Sequence, residues 1–126
     1  MLAHAPRPGL PAPAEVRRLS RLAAGAANVH DGHLAIEFAD AQRIAQLNAE
    51  HRGEAAPTDV LSFPVDGAAP VGEPGVRELG DVVICPEQAR DVREAIVHGV
   101  LHLVGFDHEA DDGEMLALQR RLLRAR

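Results

Sequence analysis

The apolar positions of this chain follow two periodicities, about 3.6 residues and two residues, and the switches between them mark out its elements. Val16, Leu19, Leu22 and Ala23 lie on one stripe, which predicts an amphipathic helix over residues 14–27. His30-Asp31-Gly32-His33 has the composition of a turn, and Leu34–Phe38 then alternates apolar and polar as a strand does. Asp40 stands where its carboxylate can cap a helix, Ile44, Leu47 and Asn48 follow at helical spacing, and Gly53 is the predicted stop. Val60–Val65 is β-branched and aromatic, and Gly80–Cys85 is a short apolar run; both predict strands, the second a buried one. Pro86 suits the first turn of a helix. From there to Val104 the chain is apolar almost all round, through Val92, Ile96, Val100 and Leu103, which predicts a helix buried at the centre. Beyond Gly105, Asp111 or Asp112 can cap a last helix with the stripe Met115, Leu118, Leu122.

The intervals carry their own signals. Residues 1–13 hold four prolines and one glycine and read as an irregular lead-in. Residues 54–58 form a polar loop, and residues 66–79, rich in Gly and Pro, a longer one. No repeat and no second core interrupt the sequence, so residues 1–126 are expected to form one domain. Strands and helices interleave, which gives an α+β or α/β class with one small sheet of three to four strands flanked by helices.

Composition narrows the chemistry. The three phenylalanines are the only aromatic rings besides histidine, so Ala, Val, Leu and Ile must build the core. All 13 basic residues are Arg, against 19 acidic ones, for a net charge of −6. An acidic chain is a poor general binder of nucleic acid; RNA would have to meet a local group of arginines, and DNA is not an expected partner. Cys85 has no cysteine partner, which fits a reducing cytoplasm. There is no apolar signal-peptide run and no apolar stretch long enough to span a membrane, so a cytoplasmic location without membrane attachment is expected.

The informative stretch is His98-Gly-Val-Leu-His102-Leu-Val-Gly105-Phe-Asp-His108. His98 and His102 are four apart and share one helix face, about 5.4 Å along the axis, so both rings can reach one metal at ~2.0–2.1 Å. Gly105 falls where the helix must end and can turn the chain back, bringing His108 to the same ion. Three neutral imidazoles leave a tetrahedral zinc with one position for water, the arrangement of a catalytic site. The spacing is that of the metzincin proteases, except that position 99 is Gly where those enzymes place a glutamate base. Zinc ligands must be deprotonated, so affinity for the single Zn2+ should fall as pH drops below about 6.5.

HGVLHLVGFDH resembles the signature of the YbeY family of bacterial endoribonucleases, as do Arg52–Pro64 (RGEAAPTDVLSFP) and Leu79–Ile84 (LGDVVI), in the same order and at similar spacing, over about residues 34–126. The resemblance implies a small mixed sheet flanked by helices with a zinc site at one end of a cleft. It implies metal-dependent cleavage of single-stranded RNA, maturation of ribosomal RNA including the 3′ end of the small-subunit 16S RNA, ribosome quality control, and the ribosome's small subunit as partner. It makes His98, His102 and His108 the zinc ligands and places Arg52 at the family's arginine near the site, where a planar fork can hold a phosphate and stabilise transition-state charge. The chain departs from the family pattern at Glu54 and Ala55, where lysines are common, at His51 and Phe106, and in a shorter Pro86–His98 connection, which predicts one fused or truncated helix instead of two.

Other residues have plainer roles. Asp81 is expected to be a turn residue before its strand, the alternative being a group that orients a zinc histidine. Asp107 can bond the turn backbone, Glu109 is expected to be a solvated carboxylate, and Glu94 should lean away from the metal. Thr58 and Ser62 either touch a phosphate or satisfy their own turn and strand. His4, His30, His33 and His51 have no metal spacing. Two other functions compete with RNA cleavage: zinc hydrolysis of a peptide or amide bond, and a non-catalytic ribosome-associated zinc protein.

Overall fold

In a computed structural model, the structure describes residues 10–65, 78–107 and 111–124. Three strands, β1 (His33–Phe38), β2 (Val60–Pro64) and β3 (Glu78–Ile84), form one sheet in the order β1-β3-β2. The sheet is mixed: β1 runs parallel to β3, and β2 runs antiparallel to it. Four helices flank it: α1 (Pro13–Gly25), α2 (Ala41–Arg52), α3 (Val92–Leu103) and α4 (Glu114–Arg124). This is the α+β architecture expected from the interleaved pattern.

The register explains why both faces need a cover. Ile36, Val82 and Ser62 pair across the sheet and share one face, as do Phe38, Ile84 and Val60. That face carries the larger core, in which Leu34, Ile36, Phe38, Val82 and Ile84 pack with Val16, Leu19 and Ala23 of α1 and Ile96, Val97, Val100 and Leu103 of α3. The opposite face presents Leu61 and Val83 to Ile44 and Leu47 of α2, with Cys85 buried among them. α3 is buried over most of its circumference, as an all-round apolar helix requires.

Helix ends follow the local chemistry. Asp40 caps α2, its Oδ1 accepting the Arg43 N–H at 2.8 Å, and Gly53 closes the helix in the left-handed region at φ 74°. The Asp111 carboxylate caps α4, accepting from Gly113 N at 2.8 Å and Met115 N at 3.0 Å. Pro13 occupies the first turn of α1, where its missing N–H costs nothing.

Three expectations change. The helix predicted from Pro86 starts only at Val92. Residues 85–89 instead form turns closed by Gln88 N–H to Cys85 O and Ala89 N–H to Pro86 O, and Asp91 supplies the cap, accepting from Arg93 N at 2.9 Å and Glu94 N at 3.4 Å. Because the helix starts only at Val92, its first amides have no carbonyl one turn back, and the Asp91 carboxylate satisfies two of them. Asp81 lies inside β3, paired with Ala35 and Phe63, and not in a turn before it. The loop predicted for 66–79 ends earlier, since Glu78 and Leu79 already belong to β3; residues 66–77 and 1–9 fall outside the described residues. No helix among the described residues is long and apolar enough to cross a membrane.

Candidate metal centre and cleft

Among the described residues β2 is an outer strand, with no strand paired to its other edge. Cys85 N–H bonds Asp59 O, and Val65 N–H bonds Leu79 O, so positions 59 and 65 turn their backbone groups toward β3. By alternation, the polar backbone groups of Val60, Ser62 and Pro64 turn outward. Pro64, which lacks an N–H, sits where no donor is needed. A cleft of about 970 Å³ opens along this edge. The C-terminal end of α2 contributes His51 and Arg52 to its lining, β2 runs along it, and α3 with its following turn contributes His98, His102, Phe106 and Asp107.

α3 delivers the two histidines as the four-residue spacing requires. Their ring centres are 4.8 Å apart and the rings stand at 72° to each other. Two imidazoles bound tetrahedrally to one zinc at ~2.0–2.1 Å have ring centres about 5 Å apart, so this pair fits the geometry of two ligands to one ion. Both side chains are partly buried, which shields a site from bulk water without closing it. The His98 ring is oriented from behind: its Nδ1 lies 2.7 Å from Oε1 of Gln119 on α4. An amide oxygen only accepts, so a hydrogen bond in this orientation takes its proton from Nδ1 and leaves the lone pair on Nε2 for a metal.

α3 ends in a Schellman motif. Phe106 N–H bonds Leu101 O at 3.0 Å and Gly105 N–H bonds His102 O at 3.1 Å, with Gly105 at φ 107°. The chain therefore turns at Gly105, as the sequence requires. The structure brings His98, His102 and Arg52 to one cleft; the third predicted ligand, His108, and Glu109 lie outside the described residues.

Arg52 is the last residue of α2, exposed, and followed by the left-handed Gly53. It makes no hydrogen bond or ion pair among the described residues, so its fork is available to an anion in the cleft. The following loop is fastened by Asn48, which is buried and donates through Nδ2 to Ala56 O at 2.9 Å. Ser62 and Thr58 line the cleft but are engaged locally: Ser62 Oγ donates to Gly99 O at 2.8 Å, and Thr58 Oγ1 to Asp59 at 3.4 Å. Glu94 is held by Arg90 at 2.8 Å, one turn from His98 and directed away from it.

Gly99 packs against the sheet. A Cβ there would lie 2.5 Å from Val82 Cγ1 and 2.9 Å from Val60 Cγ2. The position that holds the glutamate base of a zincin peptidase thus has no room for a side chain, because β2 and β3 fill the space. A second hollow, near Glu15, Arg18, Arg90 and Arg93, is richer in arginine. Three of its guanidinium groups are committed: Arg18 and Arg93 pair with Glu15, and Arg90 with Glu94; the fourth, Arg124, makes no ion pair among the described residues.

Two side chains near the site, one at the cleft rim and one behind His98, have roles that only the tertiary structure shows. His51 lies against Phe63 with ring centres 4.7 Å apart and the rings tilted at 58°, joining α2 to β2 at the rim. Gln119 left one signal, a polar residue four positions after Met115, on the buried side of an otherwise amphipathic helix.

Comparison with known proteins places the chain in a family. The model of the family described as endoribonuclease YbeY matches residues 13–126. The endoribonuclease YbeY of Alkalilimnicola ehrlichii is 44% identical, over 93% of this chain and 79% of its own length. That of Kineococcus radiotolerans is 37% identical, over 86% of this chain and 73% of its own. A solution structure of a protein from Thermotoga maritima superposes with a TM-score of 0.54 at 25% identity, covering 96% of this chain and 84% of that one. With the family model spanning all of the described elements, and relatives this similar over most of their length, the chain belongs to the endoribonuclease YbeY family.

Proposed function

We propose that this chain is a zinc-dependent endoribonuclease that cleaves single-stranded ribosomal RNA, with His98, His102 and His108 as zinc ligands and Arg52 as the group that holds the scissile phosphate. Membership of a family of endoribonucleases makes it an RNA-cleaving hydrolase with a role in ribosomal RNA processing. The finer reading is supported by one observation above all: two imidazoles at ligand spacing on one wall of a cleft whose other wall carries a guanidinium without a partner among the described residues. The 3′ end of the small-subunit 16S RNA as target, action on the ribosome's small subunit, ribosome quality control and a cytoplasmic location follow from the family resemblance.

Each residue then has a stated task. A zinc ion in this site supplies Lewis-acid activation of the phosphodiester and of the attacking water. Arg52 clamps non-bridging phosphate oxygens through its planar fork and offsets the charge that builds in the transition state. The outward backbone N–H groups of Val60 and Ser62 offer further donors to a strand lying along β2.

The test is cleavage of matched single-stranded and duplex RNA by the purified chain with zinc. Single strands should be cut and duplex spared, with activity lost on chelation and in His102→Ala. Arg52→Ala should lower kcat by about 100-fold, the effect of removing one charge-stabilising donor. Absence of cleavage, or equal cleavage by His102→Ala, overturns the reading.

A further inference from the structure

We infer that Gln119 is a positioning residue for the metal centre: its side-chain oxygen fixes the His98 ring in the Nδ1-protonated tautomer, so that Nε2 is the nitrogen presented to zinc. The inference rests on the zinc reading above and goes beyond it, since it concerns α4, which contributes nothing to the cleft lining.

The geometry is specific. Gln119 is only 6% exposed, and Met115, one turn earlier, is fully buried. Leu118 and Leu122 pack on the same core. A polar side chain in that stripe must find a partner, and the partner found is His98 Nδ1 at 2.7 Å, 21 residues away in sequence. The distance is short for a nitrogen donor, which indicates a well-formed bond. The bond also has a direction. An amide oxygen facing Nδ1 puts the proton there, whereas an amide NH2 facing it would move the proton to Nε2 and block coordination.

The support behind Gln119 is rigid. Asp111 caps α4 through Met115 N and thereby fixes where the helix begins. Met115 packs in the core shared with Ile96 and Val100 of α3. The ring of His98 is therefore held from the core side, while its metal-facing edge lies at the cleft. Partners of this kind tune the orientation and basicity of ligating histidines in metal sites generally.

The experiment uses the full chain with Gln119→Leu, Gln119→Asn and Gln119→Glu. Leucine keeps the volume without an acceptor, asparagine keeps the amide but is one methylene too short, and glutamate keeps the acceptor. Long-range proton–nitrogen correlation spectra of the metal-free wild type, at mildly alkaline pH, should show His98 protonated on Nδ1. Gln119→Glu should show the same, and Gln119→Leu and Gln119→Asn should show the proton redistributed to Nε2. Zinc affinity, read by competition with a chromogenic chelator, should fall about 10–100-fold in the leucine and asparagine variants and be kept or raised in the glutamate variant. A wild type protonated on Nε2, or leucine and asparagine variants with wild-type tautomer and affinity, overturns the inference. The wild-type spectrum decides the point even if a variant does not fold. A wild type that takes up no zinc sinks the proposed function and this inference together, whereas a zinc-binding wild type indifferent to Gln119 sinks this inference alone.

Discussion

Gly99 sits between the two histidines because α3 must approach the sheet closely there. Read from sequence alone, it is a metzincin motif lacking its glutamate. In the structure the same glycine is a packing requirement, since Val82 and Val60 occupy the space a Cβ would take. Its neighbour across the contact, Ser62, bonds the Gly99 carbonyl and pins the helix to β2. Gly99→Ala should therefore destabilise the fold by about 1–3 kcal/mol, the usual cost of overpacking, as read by urea denaturation. An unchanged midpoint would show that α3 can move off the sheet at no cost. The residue scale also shows what sequence can carry: His98 and His102 are legible because both lie on one helix, four positions apart. Gln119 is not, because the contact that gives it meaning depends on how α4 packs against α3.

At the scale of elements, local signals located most of the fold. Asp40, Gly53, Gly105 and Asp111 each act through groups only a few residues away, so their roles survive without tertiary information. The start of α3 was misplaced for the opposite reason: Pro86 and Asp91 are both good starts, and the turns after Cys85 decide between them. The pairing of β1 with β3 in parallel, and the edge position of β2 that creates the cleft, depend on crossovers that periodicity does not encode.

Two predictions belong to this scale. Gly105→Ala forces a Cβ into φ 107° at the end of α3 and should cost about 1–2 kcal/mol on denaturation. Among the described residues nothing lies within 4 Å of that Cβ, so the expected cost is backbone strain. The second concerns α1, which Glu15 ties to its own Arg18 at 2.5 Å and to Arg93 of α3 at 3.3 Å. The Arg18 hydrogen bond, helped by the charges of Arg18 and Arg93 and opposed by partial desolvation, holds the Glu15 carboxyl below its ordinary value. A depressed carboxylate stabilises the fold above its unfolded value and loses that contribution as pH falls through the folded one. Thermal melts should show Glu15→Gln less stable than wild type at neutral pH, with the two converging as pH falls below the ordinary glutamate range. A gap that persists there would assign the effect to packing instead.

The whole molecule poses an electrostatic problem for an RNA enzyme: its net charge is −6, yet its substrate is a polyanion. Its arginines are unevenly placed. Arg17, Arg18, Arg21, Arg90, Arg93, Arg120, Arg121 and Arg124 lie on α1, on α4, and on or just before the start of α3, the helices that cover the face of the sheet away from α2, and some are already paired with glutamates. Among the described residues lining the cleft, Arg52 is the sole guanidinium, and Asp59 and Asp107 oppose it. Strand binding confined to the cleft should release few counterions, because each phosphate neutralised contributes a slope of only about −0.7 to log K against log salt for single strands. We expect a slope near −1 for binding of a short single-stranded RNA, reduced by about 0.7 in Arg52→Ala, measured by fluorescence anisotropy over a salt series. A slope of several units that Arg52→Ala leaves intact would move the RNA off the β2 edge and onto the arginines of α1 and α4. Such a result would mean that the cleft performs the chemistry on a strand held mainly elsewhere.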